Sequence, residues 1–154
     1  MGKIFEDYLS KFQEDIISIA LDYVDGKVDG IFIYGACENG TSLFDVFYKI
    51  NGKIIEKEKL NDALDYDYKI YDTSYERQSA LLNHGLNSLD NLEEKCDEFN
   101  REMPTEMRLY YDAKNNRLQA KYRYDYIFSD DNDLLPGDVF HAWFDSVSKG
   151  ESDI

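Results

Sequence analysis

The sequence predicts an α+β fold in which one antiparallel sheet is flanked by helices. Two observations support this prediction: apolar residues recur at helical spacing in three segments, and short alternating segments with turn signals lie between those helices. The chain has 154 residues, of which 43% are hydrophobic, and no Ser/Gly-rich linker divides it. We therefore expect residues 1–154 to form a single domain around one core, with the last few residues disordered.

The first half of the chain predicts a helix followed by a three-stranded meander. Residues 4–24 place apolar side chains at three- and four-residue steps, with charged residues between them. Three strands are expected next, at residues 31–36, 42–50 and 53–58. Asn51-Gly52 predicts a tight hairpin, because both positions tolerate a positive φ. The second strand has one face more apolar than the other, which is typical of a sheet covered on one side.

The second half predicts a long helix, a hairpin and a short closing helix. The stretch 60–74 before them fits either a loop or a short helix that passes into an extended segment. Ser74 is expected to cap the long helix and Pro104 to end it. Gly85 inside that helix costs about 1 kcal/mol relative to Ala, which indicates a kink or close packing. The elements are expected at residues 75–102 for the long helix, 106–112 and 117–126 for the hairpin, and 134–147 for the last helix.

Acidic residues dominate the composition, with 32 Asp and Glu against 17 Lys and Arg and a formal net charge of −15. Aromatic residues make up 15% of the chain, which argues against a disordered acidic segment. An acidic surface repels phosphate backbones, so we expect no direct binding of nucleic acid. Lys121 and Arg123 alternate along one strand and are expected on the solvent face of the sheet.

The sequence also predicts a cytoplasmic protein. The first residues lack the apolar run of a signal peptide, and no later segment is long and apolar enough to span a membrane. Cys37 and Cys96 lie far apart and are expected to be two buried thiols.

Motifs of enzymes are absent from the sequence: it contains no phosphate-binding loop, dinucleotide-binding glycines, zinc-protease motif or serine-hydrolase motif. His84 and His141 have no second ligand at metal spacing. The adjacent acids Asp130, Asp131 and Asp133 lack the central Gly and distal Glu of a calcium loop, so a solvated acidic turn is favoured. We therefore predict a protein without enzymatic activity, metal or cofactor, and keep a small hydrolase with an Asp pair as a third hypothesis.

Two acidic segments are candidate partner-binding surfaces. Residues 125–145 contain six Asp and no Lys or Arg, and residues 62–72 interleave Asp with Tyr. Tyr offers rigid contact area with a polar tip, and Asp pairs with Lys or Arg of a basic protein. A soluble acidic surface with half-buried tyrosines is the alternative. The candidate residues are Asp130, Asp131 and Asp133 in the first segment, and Asp65, Tyr66, Asp67 and Tyr68 in the second.

Residues 103–147 resemble the YezG-like family of bacterial immunity proteins and antitoxins. The tyrosine-bearing strand 31–35 and the long helix before Pro104 fit the family in order. The resemblance implies a small cytoplasmic protein that binds and neutralises a toxin, typically a nuclease domain of a secreted polymorphic toxin, and it brings no catalytic residues. The similar elements are Pro104-Thr105-Glu106, the strand 108–112, the aromatic strand 120–126, the Asp-rich loop, and the stretch from Leu134-Leu135-Pro136 to Ala142-Trp143-Phe144.

Charge and resemblance together predict an immunity protein that occludes the basic substrate cleft of a secreted or contact-dependent nuclease toxin. The alternative is an acidic adaptor or regulatory protein that binds another basic protein. The oligomeric state stays open, because an apolar strand edge in the first meander could pair with a second copy or with the toxin.

Overall fold

Helices cover both faces of a five-stranded antiparallel sheet in this protein. The structure is a computed structural model that describes residues 2–65, 70–128, 134–152 and 154. The helices are α1 (Phe5–Tyr23), α2 (Tyr75–Glu98) and α3 (Pro136–Ser148), with a 3₁₀ helix at Lys57–Ala63. The strands are β1 (Gly30–Glu38), β2 (Thr41–Ile50), β3 (Lys53–Glu56), β4 (Glu106–Asp112) and β5 (Arg117–Arg123), in the spatial order β3-β2-β1-β4-β5.

The α+β prediction is confirmed, and several element ends differ from those expected. β3 ends at Glu56 because the 3₁₀ helix begins at the next residue. This is the short helix that was one of two expectations for residues 60–74, and it begins three residues earlier, at Lys57. α2 ends at Glu98, because Asn100 adopts a left-handed φ of 53° and the Arg101 N–H returns to the Cys96 carbonyl at 2.7 Å. β5 ends at Arg123, three residues before the predicted end.

The central strand β1 is buried along its whole length, and this corrects the prediction of a sheet covered on one side. Ile31 and Ile33 pack in the core under α1 and α2. Phe32 and Tyr34 point the other way and pack beneath Trp143 of α3. The second strand misled the prediction because Asp45 and Lys49 share a face with the apolar Leu43 and Phe47, and Phe47 is fully buried under α3.

Local sequence signals fix the turns and caps. Asn51 and Gly52 have φ values of 53° and 76°, as the predicted tight hairpin requires. The Ser74 hydroxyl accepts a hydrogen bond from the Arg77 N–H at 3.4 Å, which confirms the predicted N-cap of α2. Gly85 is a site of close packing, since a Cβ there would lie 2.0 Å from a ring carbon of Phe44 on β2.

Two buried tyrosines connect α1 to the sheet region through hydrogen bonds. Tyr48 donates to the Ala20 carbonyl at 2.8 Å, and Tyr23 donates to the Lys57 carbonyl at 2.9 Å. Burial raises the pKa of Tyr23 to about 12, with a further contribution from the negative charge of Glu58. Burial also raises the pKa of Tyr48 well above its usual range.

Replacing Gly85 with Ala is expected to destabilise the protein by about 1–3 kcal/mol, although Ala is the better helix former. The added methyl group meets the ring of Phe44, which is itself buried in the core. Urea denaturation measures the change. Asn83→Ala, at an exposed position of α2, is the matched control and should not destabilise. Combining Gly85→Ala with Phe44→Leu should recover part of the loss; a stabilised Gly85→Ala variant would contradict the packing.

Stability is expected to fall as the pH rises above about 10, where tyrosine in an unfolded chain loses its proton. Folded Tyr23 keeps its proton up to a pKa of about 12, so in this window the unfolded state binds fewer protons than the folded state. Tyr23 alone then contributes a slope of at most about 1.4 kcal/mol per pH unit. Urea denaturation from pH 8 upward measures it.

The Tyr23→Phe variant separates the two roles of this side chain. Loss of the hydrogen bond to Lys57 lowers stability equally at every pH, whereas loss of the phenol flattens the alkaline slope. An alkaline slope identical to that of the parent protein would contradict the assignment to Tyr23.

Candidate interaction surface

The predicted partner-binding residues fall mostly outside the part of the chain that the structure describes. Asp130, Asp131 and Asp133 lie outside it, and so do Tyr66, Asp67 and Tyr68. Asp65 is described and follows the 3₁₀ helix by two residues. Its side chain is 82% exposed, with one carboxylate oxygen 3.4 Å from Lys53 Nζ on β3. These residues therefore stay predictions, apart from the exposure of Asp65.

The described residues instead bring together an acidic surface on α1 and α2, which we term the acidic helical layer. The two helices pack against each other on one face of the sheet. Together they carry eleven Asp and Glu against three Lys and Arg. The acids are Glu6, Asp7, Glu14, Asp15 and Asp22 on α1, and Glu76, Asp90, Glu93, Glu94, Asp97 and Glu98 on α2.

Acids on the second half of α2 repel one another. Asp90, Glu94 and Glu98 follow at four-residue steps and are all exposed, so their side chains lie on one stripe of the helix. Each like-charge pair at this spacing destabilises a helix by about 0.2–0.5 kcal/mol. The stripe also lies toward the C-terminal end of α2, where the helix dipole disfavours negative charge. Lys95 offsets part of this through an ion pair with Glu98 at 2.9 Å.

A shallow groove of about 240 Å³ runs between the two helices of this layer. Phe12 and Leu92 line its floor, while Glu94 and Lys95 stand at its rim. The Lys95 ammonium lies 4.2 Å from the centre of the Tyr8 ring, a cation–π contact that holds the rim. The groove offers an apolar base inside a negatively charged surface.

The buried carboxylate of Glu106 and the buried thiol of Cys37, which could take part in a reaction, each interact with a neighbouring side chain. Glu106 is buried and accepts a hydrogen bond from the Tyr34 hydroxyl at 2.7 Å, while its other oxygen lies 3.3 Å from Arg108 Nε. Burial, and then the hydrogen bond to Glu93, raises the pKa of the Cys37 thiol to about 11. A protonated thiol is a poor nucleophile at neutral pH. Cys37 and Cys96 are both buried and free, as predicted.

Among the residues that the structure describes, no group of three or more His, Cys, Asp and Glu side chains is placed to hold a metal ion. None of the helices built from them combines the length and apolar character needed to cross a bilayer.

Sequence reasoning found the net charge but missed where the described acids gather. The four-residue spacing of Asp90, Glu94 and Glu98 is visible in the sequence, yet it becomes a surface only once the inner stripe of α2 is known to pack on α1 and β2. The sequence predicts only that Glu106 begins a strand, because its burial against Tyr34 depends on the β1–β4 pairing.

Comparison with protein-family models and with curated protein sequences finds no match for this chain.

Proposed function

We propose that this chain is an immunity protein that binds and neutralises a bacterial toxin, a nuclease domain of a secreted or contact-dependent polymorphic toxin. The observation that supports this proposal is the acidic helical layer, in which two packed helices carry eleven acidic residues and only three basic ones. The resemblance of residues 103–147 to the YezG-like family supports the same class of protein. An acidic adaptor for another basic protein is the alternative, and the two differ in the identity of the partner.

The charge of the layer suits a partner built to hold nucleic acid. A nuclease cleft presents Lys and Arg to phosphates, so a surface of exposed carboxylates attracts the same cleft. Such steering raises association rates to about 10⁸–10⁹ M⁻¹s⁻¹ at low salt. Fast capture is useful to an inhibitor, since a nuclease that stays free damages its target before it is bound.

The repulsion within α2 supports a role in binding and not in folding. Asp90, Glu94 and Glu98 lower the stability of the helix that carries them, and an arriving cationic surface removes that repulsion. The Asp-rich loop and the segment that begins at Asp65 remain candidates for the same interface on the basis of their sequence.

The experiment that tests the proposal is co-expression of the tagged chain with the product of the adjacent gene, followed by purification at low and high salt. We expect a stoichiometric complex with a basic nuclease domain whose activity is lost in the complex, and weaker association as salt rises. A complex with a basic protein that has no toxicity would favour the adaptor. Purification of the chain alone, or of a salt-insensitive complex, would contradict electrostatic capture.

Charge-reversal sets locate the interface within that complex. Asp90, Glu94 and Glu98 changed together to Lys should slow association about tenfold or more at low salt. The matched control changes Glu58, Glu102 and Glu151 to Lys, which alters the net charge equally at exposed positions outside the layer and outside both acidic segments. A third set changes Asp130, Asp131 and Asp133 to Lys and tests the loop. Equal slowing by the first set and its control would remove the helical layer from the interface.

Glu94→Lys alone is expected to change stability and association in opposite directions. The change converts repulsion from Asp90 and Glu98 into attraction, so the free energy of unfolding should rise by about 0.5–1 kcal/mol at low salt. Association with the partner should slow. Glu76→Lys in the first turn of α2 is the control. A negative charge there interacts favourably with the helix dipole, so its replacement by Lys should lower stability. If Glu94→Lys also lowered stability, the repulsion argument would be wrong.

A further inference from the structure

A second surface, on strand β5, differs from the acidic helical layer in both charge and shape. β5 forms one edge of the sheet, and six of its seven residues are exposed. Between Glu106 and Arg123, the β4–β5 hairpin carries five Lys and Arg against two acids, in a chain of net charge −15. The bases are Arg108, Lys114, Arg117, Lys121 and Arg123.

The outer edge of β5 presents unpaired backbone groups. Cys37 N–H donates to the Thr105 carbonyl, and Ala113 N–H donates to the Asp29 carbonyl. These two bonds show that the odd-numbered residues of β4 direct their backbone N–H and C=O groups toward β1. By the alternation of an antiparallel ladder, residues 117, 119, 121 and 123 then bond to β4. The N–H and C=O groups of Leu118, Ala120 and Tyr122 consequently point away from the sheet, and no described residue pairs with them.

One face of this strand is cationic. Arg117, Lys121 and Arg123 lie on it. Lys121 lies directly opposite Arg108 of β4, whereas Arg117 and Arg123 lie opposite Asp112 and Glu106. Like charges at directly opposite positions destabilise a sheet. Among the described residues, no carboxylate side chain lies within ion-pair distance of Arg117 or Lys121, although Lys121 Nζ donates to the Ile154 carbonyl oxygen at 3.5 Å. Arg123 pairs with Asp125 at 2.7 Å. A depression of about 310 Å³ is lined by Glu106, Arg108, Lys121, Tyr122 and Arg123.

Exposed aromatic side chains follow β5 along the chain. Tyr124 and Tyr126 are 47% and 63% exposed, and Leu118 on the strand is 37% exposed. Main-chain N–H groups of Ile127 and Phe128 donate to the buried carboxylate of Glu38 at 2.7 and 3.0 Å, which anchors the end of this segment. Exposed Tyr beside Arg is the composition of energetically important interface residues.

Charged residues on a strand edge protect it against edge-to-edge aggregation, and Lys is the residue most often used for this. Cations, however, draw the edge toward the acidic surface that other copies of this chain present. The sign therefore indicates an anionic partner at this edge.

We propose that β5 accepts an extended acidic segment of a partner protein as a sixth strand, with carboxylates at alternate positions over Arg117, Lys121 and Arg123. Backbone bonds to Leu118, Ala120 and Tyr122 supply affinity, and the cations select the segment. A second copy of this chain is a poor occupant, since antiparallel pairing of two β5 strands brings six cations onto one face. This surface is separate from the acidic helical layer and does not depend on the proposed immunity function.

Titration of the ¹⁵N-labelled full chain with a capped peptide of about eight residues, alternating Glu and Val, tests the proposal. We expect amide shifts confined to residues 117–126 and slowed hydrogen exchange at Leu118, Ala120 and Tyr122. A peptide alternating Lys and Val is the control and should leave those amides unchanged. Shifts elsewhere, equal shifts with both peptides, or none at any concentration would overturn the proposal.

Variants separate backbone pairing from charge. Ala120→Pro removes an outward N–H without removing a bond to β4, and should abolish binding of the Glu peptide. Changing Lys121 and Arg117 to Gln should weaken binding about tenfold while leaving urea stability nearly unchanged. Loss of Lys121 relieves its repulsion from Arg108, and loss of Arg117 removes an attraction to Asp112 at an exposed position. Lys11→Gln with Lys149→Gln is the control of equal charge. Binding that survives in the Lys121 and Arg117 variant would exclude charge selection, even if Ala120→Pro failed to fold.

Discussion

Every other part of this structure follows from the burial of strand β1 on both faces. Nine consecutive residues from Gly30 to Glu38 are buried, so the strand needs a neighbour on each side and a helical layer above and below. β2 and β4 supply the neighbours, with antiparallel pairing along nearly the whole of β1. Phe32 and Tyr34 on one face then require α3, and Ile31 and Ile33 on the other require α1 and α2.

The widths of helices and strands explain what this arrangement leaves exposed. A helix is about 10 Å across and strands lie about 4.8 Å apart, so one helix covers about two strands. Two helices on one face reach about four strands, while α3 alone covers the β1–β2 side of the other face. β5 lies at the end of the strand order and is left with solvent on nearly every side. Its exposure is a geometric consequence of having three α-helices for five strands in the described part of the chain.

Signals that act over a few residues were the ones that sequence predicted well. The Ser74 cap and the Asn51-Gly52 turn depend on neighbouring residues only, and both are confirmed. The end of α2 is set by Asn100, which adopts a left-handed backbone conformation. The sequence offers a second stop signal at Pro104, and nothing in the sequence alone shows which of the two ends the helix. The second covered face was missed because Phe47 shares its strand face with Asp45 and Lys49, and only the position of α3 shows which of them is buried.

The same distinction applies to the surfaces. Net charge can be counted from the sequence, but the distribution of charge over the surface can be known only from the three-dimensional arrangement. That arrangement places acids on α1 and α2 and bases on the β4–β5 hairpin. A molecule with two oppositely charged surfaces orients an approaching partner, because a partner with one basic and one acidic patch can satisfy both in a single orientation only. A wrong orientation places like charges together and is rejected. For the proposed partners, the high overall negative charge would govern attraction, and the basic strand edge would add selectivity that a uniformly acidic protein lacks.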